Sequence, residues 1–330
     1  MNLKGARPFL GPLFVVGMPR SGTKLLRSLL MNHPQVSITH EADFVPWVLR
    51  HWDEYQPLAS RVHFQRFYRS LIAAPYIAKK SAEGLIVPPD LLWDATLRRG
   101  RQGLIEAALR YYAGTVDRPS VIWGDKAPTY IKYIKLLKQG FPDAKFIHIV
   151  RDPRDGALSA QRARKRSILR YAQKWVEAME IVEEALSGMN PTEYIECRYE
   201  DLIKHPERTM RLIFELLGVE FQAYMAQLSK PAEKTHGDAA GIAYIKSDNT
   251  QKYKDRIRKS DVHRVEQIAS KYLVKYGYEC SWHGPRVPLS KIENLLYIVS
   301  DNIYRVALDT RRVGIIKALR GRVAYHRLHR

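Results

Sequence analysis

The sequence predicts an α/β fold in which a mostly parallel central sheet of about five strands is flanked by helices. Three observations carry this. Short apolar runs end at Gly17, Thr39, Gly124, Val150 and Arg198. Stretches with helical periodicity lie between them, the spacing that strand–helix–strand crossovers need. The first run also passes through a glycine-framed polar loop directly into a helix.

That opening stretch is the most informative part of the chain. Phe14-Val15-Val16-Gly17 is followed by Met18-Pro19-Arg20-Ser21-Gly22-Thr23-Lys24, and Leu25, Leu26, Leu29 and Leu30 then begin an apolar helical stripe. Gly22 lets the backbone turn its N–H groups inward, and the helix contributes the positive end of its dipole. Ser21 and Thr23 add hydroxyls and Arg20 a planar cation. Such a loop is suited to an anion, most simply a phosphate. Gly17 and Gly22 have the spacing of the Walker A loop, G-x-x-x-x-G-K-[ST], so the fold is P-loop-like. The next two residues, however, are Thr23-Lys24, which puts lysine where the magnesium-binding hydroxyl belongs. A P-loop kinase or nucleotide triphosphatase is disfavoured by that inversion. An enzyme that holds a nucleotide phosphate without a metal is not.

The run Pro19-Arg20-Ser21-Gly22-Thr23, with Leu25-Leu26 after it, resembles the 5′-phosphosulfate loop of sulfotransferases that use 3′-phosphoadenosine-5′-phosphosulfate (PAPS). A second motif similar to that family's follows the apolar run Phe146–Val150, as Arg151-Asp152-Pro153-Arg154-Asp155-Gly156-Ala157-Leu158-Ser159. The resemblance implies that Arg20, Ser21, Gly22, Thr23 and Lys24 hold the 5′-phosphosulfate. It likewise implies that Arg151 and Ser159 grip the 3′-phosphate. It covers roughly Phe14 to Tyr278.

Further along, Val36–Thr39 alternates as a second strand and Glu41 sits at its exit, where ligand chemistry collects in a parallel sheet. The stretch Leu30-Met31-Asn32-His33-Pro34-Gln35-Val36 with this glutamate looks like the tyrosylprotein branch of the sulfotransferases, which implies that Glu41 is the catalytic base. The plainer alternative is that Glu41 caps the helix that begins near Asp43 or pairs with a nearby arginine. From Phe44 to Tyr112 the pattern is mostly helical, over Phe44–Arg50, Arg61–Ala74 and Leu104–Tyr111. Trp47, Trp52, Tyr55, Phe64, Phe67, Tyr68, Tyr76 and Trp93 suit packing better than an acceptor cleft.

Val121–Gly124 is a third strand, and Lys126 after it falls on a lysine of the family, implying that it neutralises charge on the departing phosphate together with Arg20. A helix over Tyr130–Lys138 leads to strand Lys145–Val150 and the second motif. Arg162, Arg164, Lys165, Arg166 and Arg170 then form a charge run, by default a solvated face, with the alternative that some reach the same phosphate or an acidic acceptor. After the helix Ile168–Leu186 and the strand Tyr194–Arg198, Tyr199 is implied by resemblance to contact the nucleotide. In Lys246–Lys254, which resembles the family's loop over the nucleotide, Ser247, Lys252 and Lys254 are candidate donor contacts.

Composition bounds the partners. The 330 residues are 45% apolar and 27% charged, ordinary for a globular chain, but the net charge is +20. That field attracts anions: nucleotides, nucleic acid, acidic glycans or an anionic membrane. A binding protein for nucleic acid or acidic lipid is the rival from outside enzymology, and with the motifs present no nucleic-acid partner is expected. The two cysteines, Cys197 and Cys280, suggest neither a disulfide framework nor a zinc site, and no metal is expected. No apolar run reaches the ~18 residues of a membrane span. Met1 to Pro12 lacks the apolar core of a signal peptide, so the expected location is cytoplasmic, or peripheral on the inner face of the membrane.

The sequence divides into a sulfotransferase-like domain over 1–285 and a basic amphipathic C-terminal helical extension over 286–330. In the extension Ile292, Leu295, Leu296, Val299, Ile303 and Val306 share one helical face, and Arg305 to Arg330 holds eight Lys or Arg against the single acid Asp309. This pattern fits a helix on an anionic membrane surface, a partner groove such as a homodimer contact, or a helix docked on the protein's own core. The implied reaction is transfer of a sulfonate group from PAPS, leaving adenosine 3′,5′-bisphosphate (PAP), to an acceptor hydroxyl. A glycan or lipid-linked glycan is favoured as acceptor, with a protein tyrosine as the alternative.

Overall fold

A computed structural model gives the structure of the chain and describes residues 8–56, 60–231 and 241–313. Among the described residues five strands form one sheet: β1 Leu13–Val16, β2 Val36–His40, β3 Ile122–Lys126, β4 Lys145–Val150 and β5 Tyr194–Arg198. Their order is β2-β3-β1-β4-β5 and every pairing is parallel. The sheet is thus wholly parallel where the sequence pattern suggested mostly so.

Strands buried on both faces read as continuous apolar runs. In β1, Leu13, Phe14, Val15 and Val16 are all fully buried, with alternate residues facing opposite layers. Phe14 and Val16 join Phe146 and Val150 in one core, with Val48, Leu137, Trp175 and Ile268 from helices. Leu13 and Val15 join Ile147 and Ile149 in the other, with Leu26, Leu29 and Phe214.

The chain leaves β1 towards β2 on one side and later returns to place β4 on its other side. The strand order therefore reverses between β1 and β4, and ligands in such sheets bind at that crevice, beyond the carboxyl ends of the strands. With Val16 level with His148 in the register, the loop after β1 and the loop after β4 open side by side.

The helices are α1 Thr23–Leu30, α2 Phe44–His51, α3 Arg61–Ile72, α4 Pro75–Ala82, α5 Pro89–Ala113, α6 Ile134–Gly140, α7 Pro153–Arg164, α8 Ile168–Leu186, α9 Tyr199–Lys204, α10 Pro206–Leu217, α11 Tyr253–Arg256, α12 Lys259–Lys275 and α13 Lys291–Val313. Three departures from the sequence reading shape the layout. Strand β3 runs on through Asp125 and Lys126, so Lys126 ends the strand instead of following it. Helix α5 begins at Pro89, not Leu104, with a kink at Arg99 and Gly100, whose φ of +56° a side chain would resist. Pro128–Tyr133 is 3₁₀, and the α-helix starts only at Ile134.

Helix α13 docks by Tyr297 against the core and by Asp301 against α8. The basic run past Val313 and the segment Met1–Arg7 lie outside the described residues, as does the side chain of Val306. No helix among the described residues is long and apolar enough to cross a membrane.

The tightest approach in the sheet is at Gly124, where a Cβ would meet the Leu13 carbonyl oxygen of the paired strand at 2.0 Å. Gly124→Ala is expected to cost about 1–3 kcal/mol through overpacking. Urea unfolding should show a lower midpoint at unchanged slope.

Candidate active site

The loop after β1 owes its shape to two residues with positive φ, Arg20 at 76° and Gly22 at 94°. Glycine adopts this freely, whereas a non-glycine residue there stores about 1–3 kcal/mol of strain. Gly22 also lies against Tyr199, the first residue of α9, whose ring would be 2.3 Å from an added Cβ. The loop is pinned by Ser21 N–H donating to Met18 O at 3.1 Å and by the Tyr171 hydroxyl donating to Pro19 O at 2.7 Å.

Beside it, Arg151 leaves the end of β4 and is buried. Its Nη1 donates to Arg20 O and its Nη2 to Asn249 O, each at 3.0 Å, and its guanidinium lies 4.3 Å over the Tyr199 ring. Asn249 in turn donates from Nδ2 to the Tyr199 hydroxyl at 2.7 Å. Arg151 Nε is buried with no hydrogen-bond partner among the described residues. A guanidinium has five N–H donors, so Arg151 retains donors for an anion after its two backbone bonds. Arg20 Nε donates to Ser159 Oγ in α7 at 3.0 Å. The two residues that resemblance assigns to opposite ends of one donor thus meet directly.

The second half of the site is built at the ends of β2 and β3. Glu41 has φ 61°, and its N–H donates to Lys126 O at 2.8 Å, which turns its carboxylate back over the sheet edge. Lys126 Nζ donates to Glu41 Oε1 at 3.1 Å; the lysine side chain is fully buried while the glutamate is 51% exposed. Burial raises the Glu41 carboxyl, but Lys126, with His40 and Lys24, outweighs it and leaves the group below its ordinary 4.5. Burial lowers the Lys126 ammonium, and Glu41 only partly restores it. His40 Nε2 lies 3.5 Å from Glu41 Oε1; burial, then Lys126, lowers the imidazole to about 4, so it is neutral. Beneath them Asp125 accepts from Thr39 Oγ1 at 2.7 Å and from Ala42 N–H at 3.0 Å, fixing the strand ends that carry Glu41 and Lys126.

These elements border one cleft of about 950 Å³, lined among others by Arg20, Gly22, Thr23, Lys24, Glu41, Arg151, Ser159, Tyr199 and Lys252. That volume lies at the upper end of the ~300–1,000 Å³ usual for small-molecule and cofactor sites. Ser21 is buried in the loop, and Lys126 reaches the site through Glu41. Ser247 stands on an exposed turn outside this lining, and Lys254 pairs with Glu279 at 2.9 Å.

Sequence reasoning missed several lining groups: Asn249, Tyr171, Asp43 and Asp301. Burial pushes the Asp43 carboxyl up to about 6, against the pull of the Tyr76 N–H. Arg162, Arg166 and Arg170 line the cleft, the alternative to the default solvated face. The eight aromatics between Trp47 and Trp93 are absent from the lining, as the packing reading expected.

A phosphate-type loop at the reversal point of a parallel sheet, facing a carboxylate–ammonium pair, defines a group-transfer class of protein. A sequence profile of the sulfotransferase family matches residues 12–223, and the chain belongs to that family. Among relatives, protein-tyrosine sulfotransferase 2 of Gallus gallus is 25% identical over 217 residues, 63% of this chain and 51% of its own length. Omega-hydroxy-beta-dihydromenaquinone-9 sulfotransferase Stf3 of Mycobacterium tuberculosis is 33% identical over 118 residues, 31% of this chain and 30% of its own. The sulfotransferase domain from the curacin biosynthetic pathway shares the fold, with a TM-score of 0.52 and 20% identity over 83% of this chain and 100% of that domain. The chain spans about half the length, or less, of the curated relatives it matches first.

Gly22→Ala is expected to push the Tyr199 ring, and the Arg151 guanidinium stacked on it, out of place. Calorimetry should then show affinity for a phosphorylated nucleotide reduced at least tenfold, about 1.4 kcal/mol. Unchanged affinity would contradict the contact.

Proposed function

We propose that this chain transfers a sulfonate group from PAPS to an acceptor hydroxyl, releasing PAP. The observation that carries the reading is the convergence of Arg20, Ser159, Arg151 and Glu41 on one cleft, with Lys126 bonded behind Glu41, although Arg20 and Arg151 are 131 residues apart in sequence. The loop backbone from Ser21 to Thr23, with Lys24, suits the 5′-phosphosulfate. Arg151, with spare donors, and Ser159 suit the 3′-phosphate, and Tyr199, Asn249 and Lys252 border the same region. Ser247 would contact the donor only if its turn folded inward. The catalytic unit is residues 1–285, and the C-terminal extension from residue 286 carries helix α13.

Each protein group has a defined task. Glu41, held ionised, accepts the proton of the acceptor hydroxyl as its oxygen forms a bond to sulfur. The bond from sulfur to the phosphate oxygen breaks, and the charge gathering on that oxygen is met by Lys126 and Arg20. The remaining work is alignment, which such in-line transfers draw on heavily. Lys126 starts bonded to Glu41, so proton uptake by the carboxylate frees the ammonium for the leaving oxygen.

The acceptor is read as a glycan or lipid-linked glycan at the cytoplasmic face of a membrane, because the cleft is bordered by Arg162, Arg166, Arg170 and Lys174 and adjoins the extension helix. A protein tyrosine is the second reading, supported by the similarity to protein-tyrosine sulfotransferases over 63% of this chain. Transfer of radiolabelled sulfonate from PAPS into a cell extract, followed by separation of lipid, glycan and protein, decides between them.

Glu41→Gln is expected to reduce turnover at least a hundredfold, the usual size of a general-base contribution, with PAP affinity within about twofold. Intact turnover removes the base. Arg151→Ala should weaken PAP at least tenfold more than AMP, read by calorimetry; equal losses would contradict the 3′-phosphate assignment. The pH profile follows from the shifts. Activity should fall on the acid side only as pH drops through a Glu41 value below 4.5, and on the alkaline side as pH rises through a Lys126 value below 10.5.

A further inference from the structure

Helix α13 leaves its main apolar stripe facing outward. Beside Tyr297, the face turned towards the protein carries polar groups. Asp301 Oδ2 accepts from Arg170 Nη1 at 2.7 Å and Oδ1 from Ser167 N–H at 2.9 Å, while Glu293 lies 3.7 Å from Arg264. The outward face carries Ile292, Leu295, Leu296, Val299 and Ile303, between 49% and 73% exposed. A contiguous exposed apolar stripe of this kind marks a binding surface.

Charge indicates the occupant. The chain carries +20, and from Arg305 to Arg330 the sequence sets eight Lys or Arg against one acid. A second copy would bring two such basic stretches together, whereas an anionic bilayer gains from each of them. We infer that α13 lies in the interface of an anionic lipid membrane, its apolar face among the acyl chains, with the chain's positive charge drawing it there. The Asp301–Arg170 pair ties this helix to the cleft wall, since both residues line the cleft. Docking therefore sets the cleft mouth beside the bilayer, where a lipid-borne hydroxyl is presented. The role of docking rests on the transferase reading above; docking itself does not.

The test uses the full chain and liposome co-sedimentation, with vesicles of phosphatidylcholine alone or with one third phosphatidylglycerol. The Leu295→Glu/Val299→Glu double variant changes two exposed positions to a strong helix former, and PAP affinity and thermal midpoint are measured alongside. The wild type is expected to bind the anionic vesicles at least tenfold more tightly than the neutral ones. The variant should lose at least tenfold of that with both control values unchanged. Absent or charge-independent binding by the wild type overturns the inference, as does undiminished binding by the variant. A dimer in sedimentation equilibrium that the variant dissociates assigns the face to a second copy and also overturns it. Failure of the wild type to bind PAP counts against the transferase reading and leaves the vesicle result standing.

Discussion

The cleft depends on one buried guanidinium. Arg151 bonds the carbonyl of Arg20, bonds the carbonyl of Asn249 and lies on the ring of Tyr199, so three stretches distant in sequence are fixed by one residue at the end of β4. A planar cation suits this place because its donors fan out in fixed directions and its face stacks. A lysine would supply the charge and lose the geometry.

The opposite wall follows a different logic. A fully buried lysine and a half-exposed glutamate share one hydrogen bond, and each alters the other's proton affinity. Removing either partner would leave a costly group behind, the ammonium more than the carboxylate because it is more deeply buried. The backbone contributes too. Glu41 holds φ at 61° and Arg20 at 76°, conformations that side chains seldom adopt, and both stand at the centre of the site. Strain retained at such positions is often part of how a site is kept ready.

Much of this was legible in the sequence for physical reasons. Fully buried parallel strands must be apolar, which revealed β1 and β4. A loop that closes on an anion needs glycine where a side chain would collide, which marked Gly22. What stayed hidden depends on distant neighbours. Nothing near Asp301 in the chain says that it reaches the end of α8, 131 residues from Arg170. Arg162, Arg166 and Arg170 look like any solvated charge run until α7 and α8 are placed. Asn249 was passed over for Ser247, two positions earlier, because only the path of the turn decides which of them faces Tyr199. The burial of Lys126 was missed because β3 runs two residues past its apolar stretch, carried by Asp125 and its bonds to Thr39 and Ala42.

Arg154 carries a consequence for where this protein can be cut. Its side chain is buried between Asp152 in its own motif and Glu266 in α12, at 2.8 and 2.7 Å, with the Tyr253 ring 4.1 Å beneath it. Glu266 also accepts from the N–H of Ser281 at 2.9 Å. The family match ends at residue 223, before Tyr253, Glu266 and Ser281. A fragment trimmed to the recognisable signature would keep both motifs, yet it would strand a cation in the interior with half its counter-charge gone. The cooperative folding unit is therefore longer than the stretch by which the family is recognised.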